Sequence, residues 1–286
     1  MPAFARLLLL VLMTTLAGCI HDTKDQTTPQ LKGAPAALAG CCGSAPAYPG
    51  WLIALADPFA PLVGRTIALV EFRKGHLAER PDAHGFILRR LQPLDIVLVS
   101  SDNRLTGTAI PGLFSHTTIY LGTEKQLRRL GAWNEPFIAP HRDAIRAGKV
   151  FIEADKKGVH LSLAEGVFDT DKAMVLRPRV GGPSCRRKAL LRYFEHIGSR
   201  FDFRFNAAEG DRLFCAELVH HILPELDLPA ARLYGRDTII PDVIAAAGLS
   251  RGTRLGFVAY VRGRRDGWES ASASAAINDI AAAWRR

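Results

Sequence analysis

Two residue types far apart in the chain could together perform thiol chemistry. Cys215 lies in the run Asp211-Arg-Leu-Phe-Cys215-Ala-Glu-Leu-Val219. Asp211 is a good N-cap, which places Cys215 in the first turn of a helix over 211–223 that Pro224 stops. Unpaired backbone N–H groups and the helix dipole favour a thiolate there. A thiol nucleophile needs a base, and histidine is the usual one. His116 opens His116-Thr-Thr-Ile-Tyr-Leu-Gly122, a strand pattern with Thr118 and Tyr120 on its own face and Ile119 and Leu121 on the other. Held on a strand, an imidazole is oriented rigidly, as a general base requires. Residue types alone leave the pairing open: a helical cysteine is commonly inert core, and there are nine histidines.

The elements that must position these groups are legible in part. Apolar, β-branched or alternating runs predict strands over 94–100, 116–122, 149–154, 159–163, 173–177 and 255–261. Helical spacing predicts a short helix over 81–91, two patches at 126–133 and 140–147 inside an insertion spanning 123–148, and a helix over 184–198 ended by Gly198. From Ser270 the Ala/Ser-rich tail reads as a loosely held helix. Strands clustered mid-chain with helices at the ends indicate α+β and not alternating βαβ units.

The start of the chain carries a separate message. Met1 to Met13 has one arginine and then an apolar run too short to span a bilayer, which is the form of an export signal. Leu16-Ala17-Gly18-Cys19 resembles the lipobox of bacterial lipoproteins, which implies cleavage after Gly18 and lipid attachment at Cys19. Ile20 follows, with no aspartate to resemble an inner-membrane retention signal, so the expected location is the cell envelope, at the periplasmic face of the outer membrane where there is one. Residues 19–48, rich in Thr, Ala, Pro and Gly, read as a flexible tether. The apolar stretch 51–70 is broken by Asp57, Pro58, Pro61 and Arg65, which argues for a packed or membrane-surface helical region within an extension over 49–90. A main domain over 91–268 and a tail over 269–286 complete the organisation.

The formal charge is +9, and loss of Arg6 with the leader makes it +8. An exported protein seldom meets nucleic acid, so no nucleic-acid partner is expected and the charge is assigned to anionic lipid or wall polymer. Of five cysteines, Cys19 is expected to be lipidated. Cys41 or Cys42 is expected to pair with Cys185 or across molecules, since a bridge between neighbours is strained.

Asp95-Ile-Val-Leu-Val, Ser115 to Gly122, Val150-Phe-Ile-Glu153-Ala-Asp155, Tyr193 to Phe205 and Phe214-Cys215-Ala-Glu-Leu-Val219 occur in that order, followed by Ile239-Ile-Pro-Asp242. In this the chain resembles the YiiX/YaeF-like family of circularly permuted papain-like amidases, relatives of the NlpC-type cell-wall peptidases, over about residues 91–244. The resemblance implies a permuted papain-like fold in which an antiparallel sheet packs against helices. It implies Cys215 as nucleophile, His116 as base and Glu153 as the third polar group holding the imidazole. Asp155, on the strand face of Glu153, and His160 are rivals for that third place. The backbone N–H of Cys215 would meet the oxyanion, with Tyr120 as a candidate second contact. Attack on an amide or ester through a thioester follows, with no cofactor and no metal.

Three substrate readings stay open. A cell-wall peptidase requires an open, polar groove at Cys215. A lipid amidase or acyltransferase requires an apolar tunnel lined by 51–70 or by the insertion. A silent binding lipoprotein requires Cys215 buried, over about 7 Å from His116, or joined to Cys185. Glu217, His220 and His221 read as a polar helix face and not as a metal site. Asp202, Glu209 and Asp211 read as solvated loop acids. Gly181-Gly182-Pro183 reads as a turn and not a phosphate loop, and Arg262 to Arg265 as a solvated surface.

Overall fold

Structure is described for residues 31–43, 72–100, 110–203, 212–233 and 236–285, in a computed structural model. The expected leader, the expected lipid attachment at Cys19, the segment 51–70, Glu209 and Asp211 lie outside the described residues.

The strands are β1 (Ile96–Ser100), β2 (His116–Tyr120), β3 (Lys149–Asp155), β4 (Gly158–Leu163), β5 (Lys172–Pro178), β6 (Arg200–Phe201), β7 (Arg212–Leu213), β8 (Ala231–Leu233), β9 (Arg236–Thr238), β10 (Leu255–Arg264) and β11 (Gly267–Ala271). Seven of them form one sheet in the order β11-β10-β5-β1-β2-β3-β4, every neighbour antiparallel. The helices are α1 (Pro81–Leu88), α2 (Glu124–Arg129), α3 (Arg142–Arg146), α4 (Ala164–Val167), α5 (Pro183–Glu195), α6 (Cys215–Ile222), α7 (Pro241–Leu249) and α8 (Ala273–Ala283). The architecture is mixed α and β with an antiparallel sheet, as expected from the sequence. All five residues of β1 are buried, so both faces of the central strand are covered, and its unbroken β-branched run reflects that.

Several elements differ from the sequence reading, each for a physical reason. α6 begins at Cys215 and not at Asp211, because Arg212 and Leu213 pair as β7 with β6, the one parallel pairing among the described strands. Phe214 takes the N-cap position, and the Glu217 carboxylate accepts from the Phe214 N–H at 3.3 Å. α7 was not foreseen as a helix: Pro241 to Gly248 are all buried, so its apolar residues show no periodic face. The tail is firmly held. Gly267–Ala271 forms the edge strand β11, and α8 buries Ala276, Ile280 and Ala281. Arg262, expected to be solvated, pairs with Asp279 of α8 at 2.9 Å and with Glu269 of β11 at 3.3 Å.

The stretch 31–43 is also packed instead of flexible. Leu38 is buried in a short 3-10 turn beside α8, and the Arg251 N–H donates to the Gly33 carbonyl at 3.0 Å. Cys41 and Cys42 are joined to each other, both buried, while Cys185 is free and exposed on α5. The expected bridge to Cys185 is therefore not formed.

Two buried carboxylates tie the elements that flank the site. Asp95 sits against β5, where Arg177 Nε and Nη2 donate to its two oxygens at 2.8 and 2.7 Å. Burial pushes its carboxyl up, against the hydrogen bonds and charge of Arg177. Asp242, at the start of α7, accepts from the N–H groups of Leu113 and Phe114, both at 2.8 Å, and from the Trp284 indole at 2.7 Å. It thereby joins the chain entering β2 to the first turn of α7 and to the residue following α8. Gly112 (φ 109°) makes room for this: a Cβ there would lie 2.2 Å from an Asp242 oxygen.

Asp242→Ala strands three donors, two of them backbone, and should lower stability by about 3 kcal/mol or more in urea unfolding. Arg177→Ala leaves the Asp95 carboxylate buried without its cation and should cost roughly 3–5 kcal/mol in the same measurement. A loss below about 1 kcal/mol in either variant would show that water reaches the orphaned groups.

Candidate active site

The site is assembled where α6 packs across β2 and β3. Register places Thr118 opposite Glu153 and Tyr120 opposite Phe151 on β2 and β3, and Glu153 opposite His160 on β4. By the two-residue period of a strand, His116, Glu153, Asp155, His160 and Ser162 therefore share one face of the sheet. The nearby hairpin turns through Gly158 (φ 93°), where a Cβ would lie 2.4 Å from the Ser199 carbonyl. That close approach seats β6 against β4.

His116 Nε2 is 2.7 Å from Glu153 Oε2. The Cys215 sulfur acts on the same imidazole, and with Nε2 engaged by Glu153, Nδ1 is the ring nitrogen left to face it. Cys215 is the first residue of α6 and 4% exposed. Burial works against the imidazolium. The charge and hydrogen bond of the sulfur, and those of Glu153, outweigh it and hold His116 well above the usual histidine range. Burial likewise opposes ionisation of Glu153, but hydrogen bonds from His116 and Ser162 prevail and hold its carboxyl below the usual range. Cys215, His116 and Glu153 are thus brought together.

The two rivals for the third place are paired with each other instead. Asp155 Oδ1 is 2.9 Å from His160 Nε2 and accepts from the Lys157 N–H at 2.8 Å. Asp155 is therefore not spent on His116. Tyr120 is a correction: its hydroxyl donates to Gln126 Oε1 at 2.7 Å, four residues along β2 from His116. A strand rises about 3.3 Å per residue, so Tyr120 lies well away from Cys215. Burial pushes its phenol up to about 12.

Other candidates settle into structural places. Glu217 is buried and serves the start of α6, so it is not part of a solvated polar face, while the His221 ring meets that of His196 edge-on at 4.9 Å. Asp202 is buried and not solvated. Gly182 takes the N-cap position of α5, directly before Pro183. Among the described residues no group of three or more His, Cys, Asp and Glu is placed to hold a metal ion.

Two side chains escaped the sequence reading. Ser162 donates to Glu153 Oε1, and its only sequence signal is that it stands two residues from His160 on β4. Thr238 lines a small pocket beside Cys215 with Ile110, Phe214, Ile239, Ile240 and Pro241, and its buried hydroxyl has no hydrogen-bond partner. The lining is apolar. An open polar groove is not what the described residues form at Cys215.

Comparison with known proteins agrees with this geometry. No curated protein and no solved structure was found to match the chain. Residues 90–264, more than half of the chain, match the family described as the permuted papain-like amidase enzyme, YaeF/YiiX, C92 family. The histidine strand precedes the cysteine helix here, in keeping with a permuted order, and the chain belongs to this family of permuted papain-like amidases.

Proposed function

We propose that the protein is a thiol hydrolase that cleaves an amide or ester through an acyl-thioester on Cys215. The series Glu153–His116–Cys215, with its carboxylate hydrogen-bonded to the imidazole and its sulfur acting on the same ring, carries this reading. His116 takes the thiol proton, and the sulfur attacks the substrate carbonyl, forming a C–S bond. The oxyanion faces the backbone N–H of Cys215, which at the first position of α6 has no partner within the helix. The imidazolium then gives its proton to the departing amine or alcohol. Water, deprotonated by His116, breaks the thioester and returns the thiol. Glu153 keeps Nε2 in the donor tautomer throughout, so that Nδ1 faces the sulfur.

The substrate follows from the surroundings. Attachment through Cys19 at the envelope would place the enzyme beside both cell-wall peptide and lipid. The pocket at Cys215 has a volume of only about 10 Å³, room for no more than a water-sized group, so its apolar walls do not choose the substrate. The family is one of amidases, which favours an amide bond, in cell-wall peptide or in lipid. Burial of Cys215 is what the silent-binder reading expects, but the influence of its sulfur on His116, and Cys185 remaining unpaired, argue against that reading.

Iodoacetamide alkylation, followed site by site by mass spectrometry, tests the nucleophile with Cys185 as an exposed reference thiol. Cys215 should react faster near neutral pH despite its burial, and His116→Ala should slow it roughly 100-fold or more. Equal rates at the two thiols, indifferent to His116, would sink the hydrolase reading.

The pH profile has a determined sign. Glu153 raises the His116 pKa, so Glu153→Gln should bring the alkaline limb of the alkylation profile down toward the ordinary histidine range. An alkaline limb that stays in place in Glu153→Gln would remove Glu153 from its role. Cleavage of matched long-chain and acetyl p-nitrophenyl esters separates the two substrates: preference for the long chain supports a lipid, and preference for acetyl supports a peptide.

A further inference from the structure

Glu153 has two oxygens, and only one of them meets His116. The other, Oε1, accepts from the Ser162 hydroxyl. Ser162 Oγ lies 3.2 Å from His160 Nδ1, and His160 Nε2 lies 2.9 Å from Asp155 Oδ1. These groups form one unbroken series across β3 and β4, from Asp155 through His160 and Ser162 to Glu153. We infer that Ser162 and His160 are positioning residues of the site, a second tier that fixes the Glu153 carboxylate in the orientation that grips His116. The inference rests on the thiol-hydrolase reading above and adds two residues to it.

The direction of the series follows from proton counting. A serine has one proton to give. When His160 is charged, both ring nitrogens donate: Nε2–H to Asp155, and Nδ1–H shared between the Ser162 oxygen at 3.2 Å and the Leu161 carbonyl at 3.3 Å. The serine proton then has one place to go, Glu153 Oε1. When His160 is neutral with its proton on Nε2, Nδ1 is an acceptor and competes with Glu153 for the same serine proton. His160 thus decides whether the second oxygen of Glu153 is held.

The groups facing His160 favour the charged form. Asp155 supplies the largest effect, and Glu153, also on β3, adds to it, together holding His160 above its ordinary range against burial. The cations on neighbouring elements are His116 of β2, whose charge reaches Asp155, Lys156 and Lys157 of the turn between β3 and β4, and Arg200 of β6, a strand that packs on β4. The sheet register supports the same arrangement: Glu153 is directly opposite His160, and Ser162 is opposite Phe151, one diagonal step away. A hydroxyl there reaches the carboxylate from the side away from β2.

The test is the pH profile of Cys215 alkylation by iodoacetamide in the full-length protein, with Ser162→Ala, Ser162→Thr and His160→Gln. Loss of a hydrogen bond to a carboxylate raises its pKa, so the acid limb should move up by roughly one pH unit in Ser162→Ala. Ser162→Thr keeps the hydroxyl and should restore the parent profile. His160→Gln should slow the reaction on the acid side and converge with the parent at alkaline pH, where His160 of the parent has lost its charge. Profiles that superimpose, or that differ by one factor at every pH, would overturn the inference, because a merely structural role scales all rates alike.

NMR titration of the histidine rings reads the same coupling without any chemistry. The His116 inflection should move in both Ser162→Ala and His160→Gln, and an unmoved inflection would overturn the inference whatever the reactivity of Cys215. Failure of the hydrolase reading looks different: Cys215 in the unsubstituted protein would then react no faster than Cys185 and would ignore His116→Ala.

Discussion

A carboxylate can stay ionised beneath a helix only if its oxygens are occupied by donors, because burial alone would neutralise it. Glu153 meets that condition. One oxygen is held by His116 and the other by Ser162, and the carboxyl is kept below its usual range in spite of burial. The imidazole depends on this in turn. Without an anion at Nε2, burial would weigh more heavily against the charged ring, and the sulfur alone would be left to oppose it.

That local requirement explains the larger architecture. Neighbouring strands β2, β3 and β4 form an antiparallel meander, so residues two apart on each strand line a single face. α6 then lays the sulfur over that face from a distant part of the chain. The remaining freedom is in how the two halves of the site meet, and Asp242 removes it. Its carboxylate holds the backbone just ahead of His116 and begins the helix that follows the apolar wall beside Cys215. The same side chain therefore fixes the base and one side of the pocket relative to each other.

Much of this was legible in the sequence, and the exceptions are instructive. Alternating and β-branched runs marked most of the sheet, and family resemblance selected Cys215, His116 and Glu153 from many candidates. Asp155 and Glu153 share a strand face, so periodicity could not separate them. His160, on the next strand, does so by engaging Asp155. Ser162 was silent because a serine on a strand carries no chemical signal until register sets it beside a carboxylate. α7 was missed because a helix buried on nearly all sides shows no amphipathic period, and the Ala/Ser-rich tail was underrated because small side chains can pack closely. Leu38, Cys41 and Cys42 anchor a segment whose Pro, Ala and Gly content suggests a free tether. A few buried side chains were enough to hold it.

The order of elements along the chain also has a meaning for biosynthesis. Strands β2, β3 and β4 are contiguous, so a chain emerging from its N-terminus can carry the imidazole and its carboxylate before the thiol has been made. Cys215 arrives next, and Asp242, which locks the approach to β2, only afterwards. The sulfur proposed as nucleophile thus follows both of its partners along the chain, and the carboxylate that ties the approach to β2 follows the sulfur.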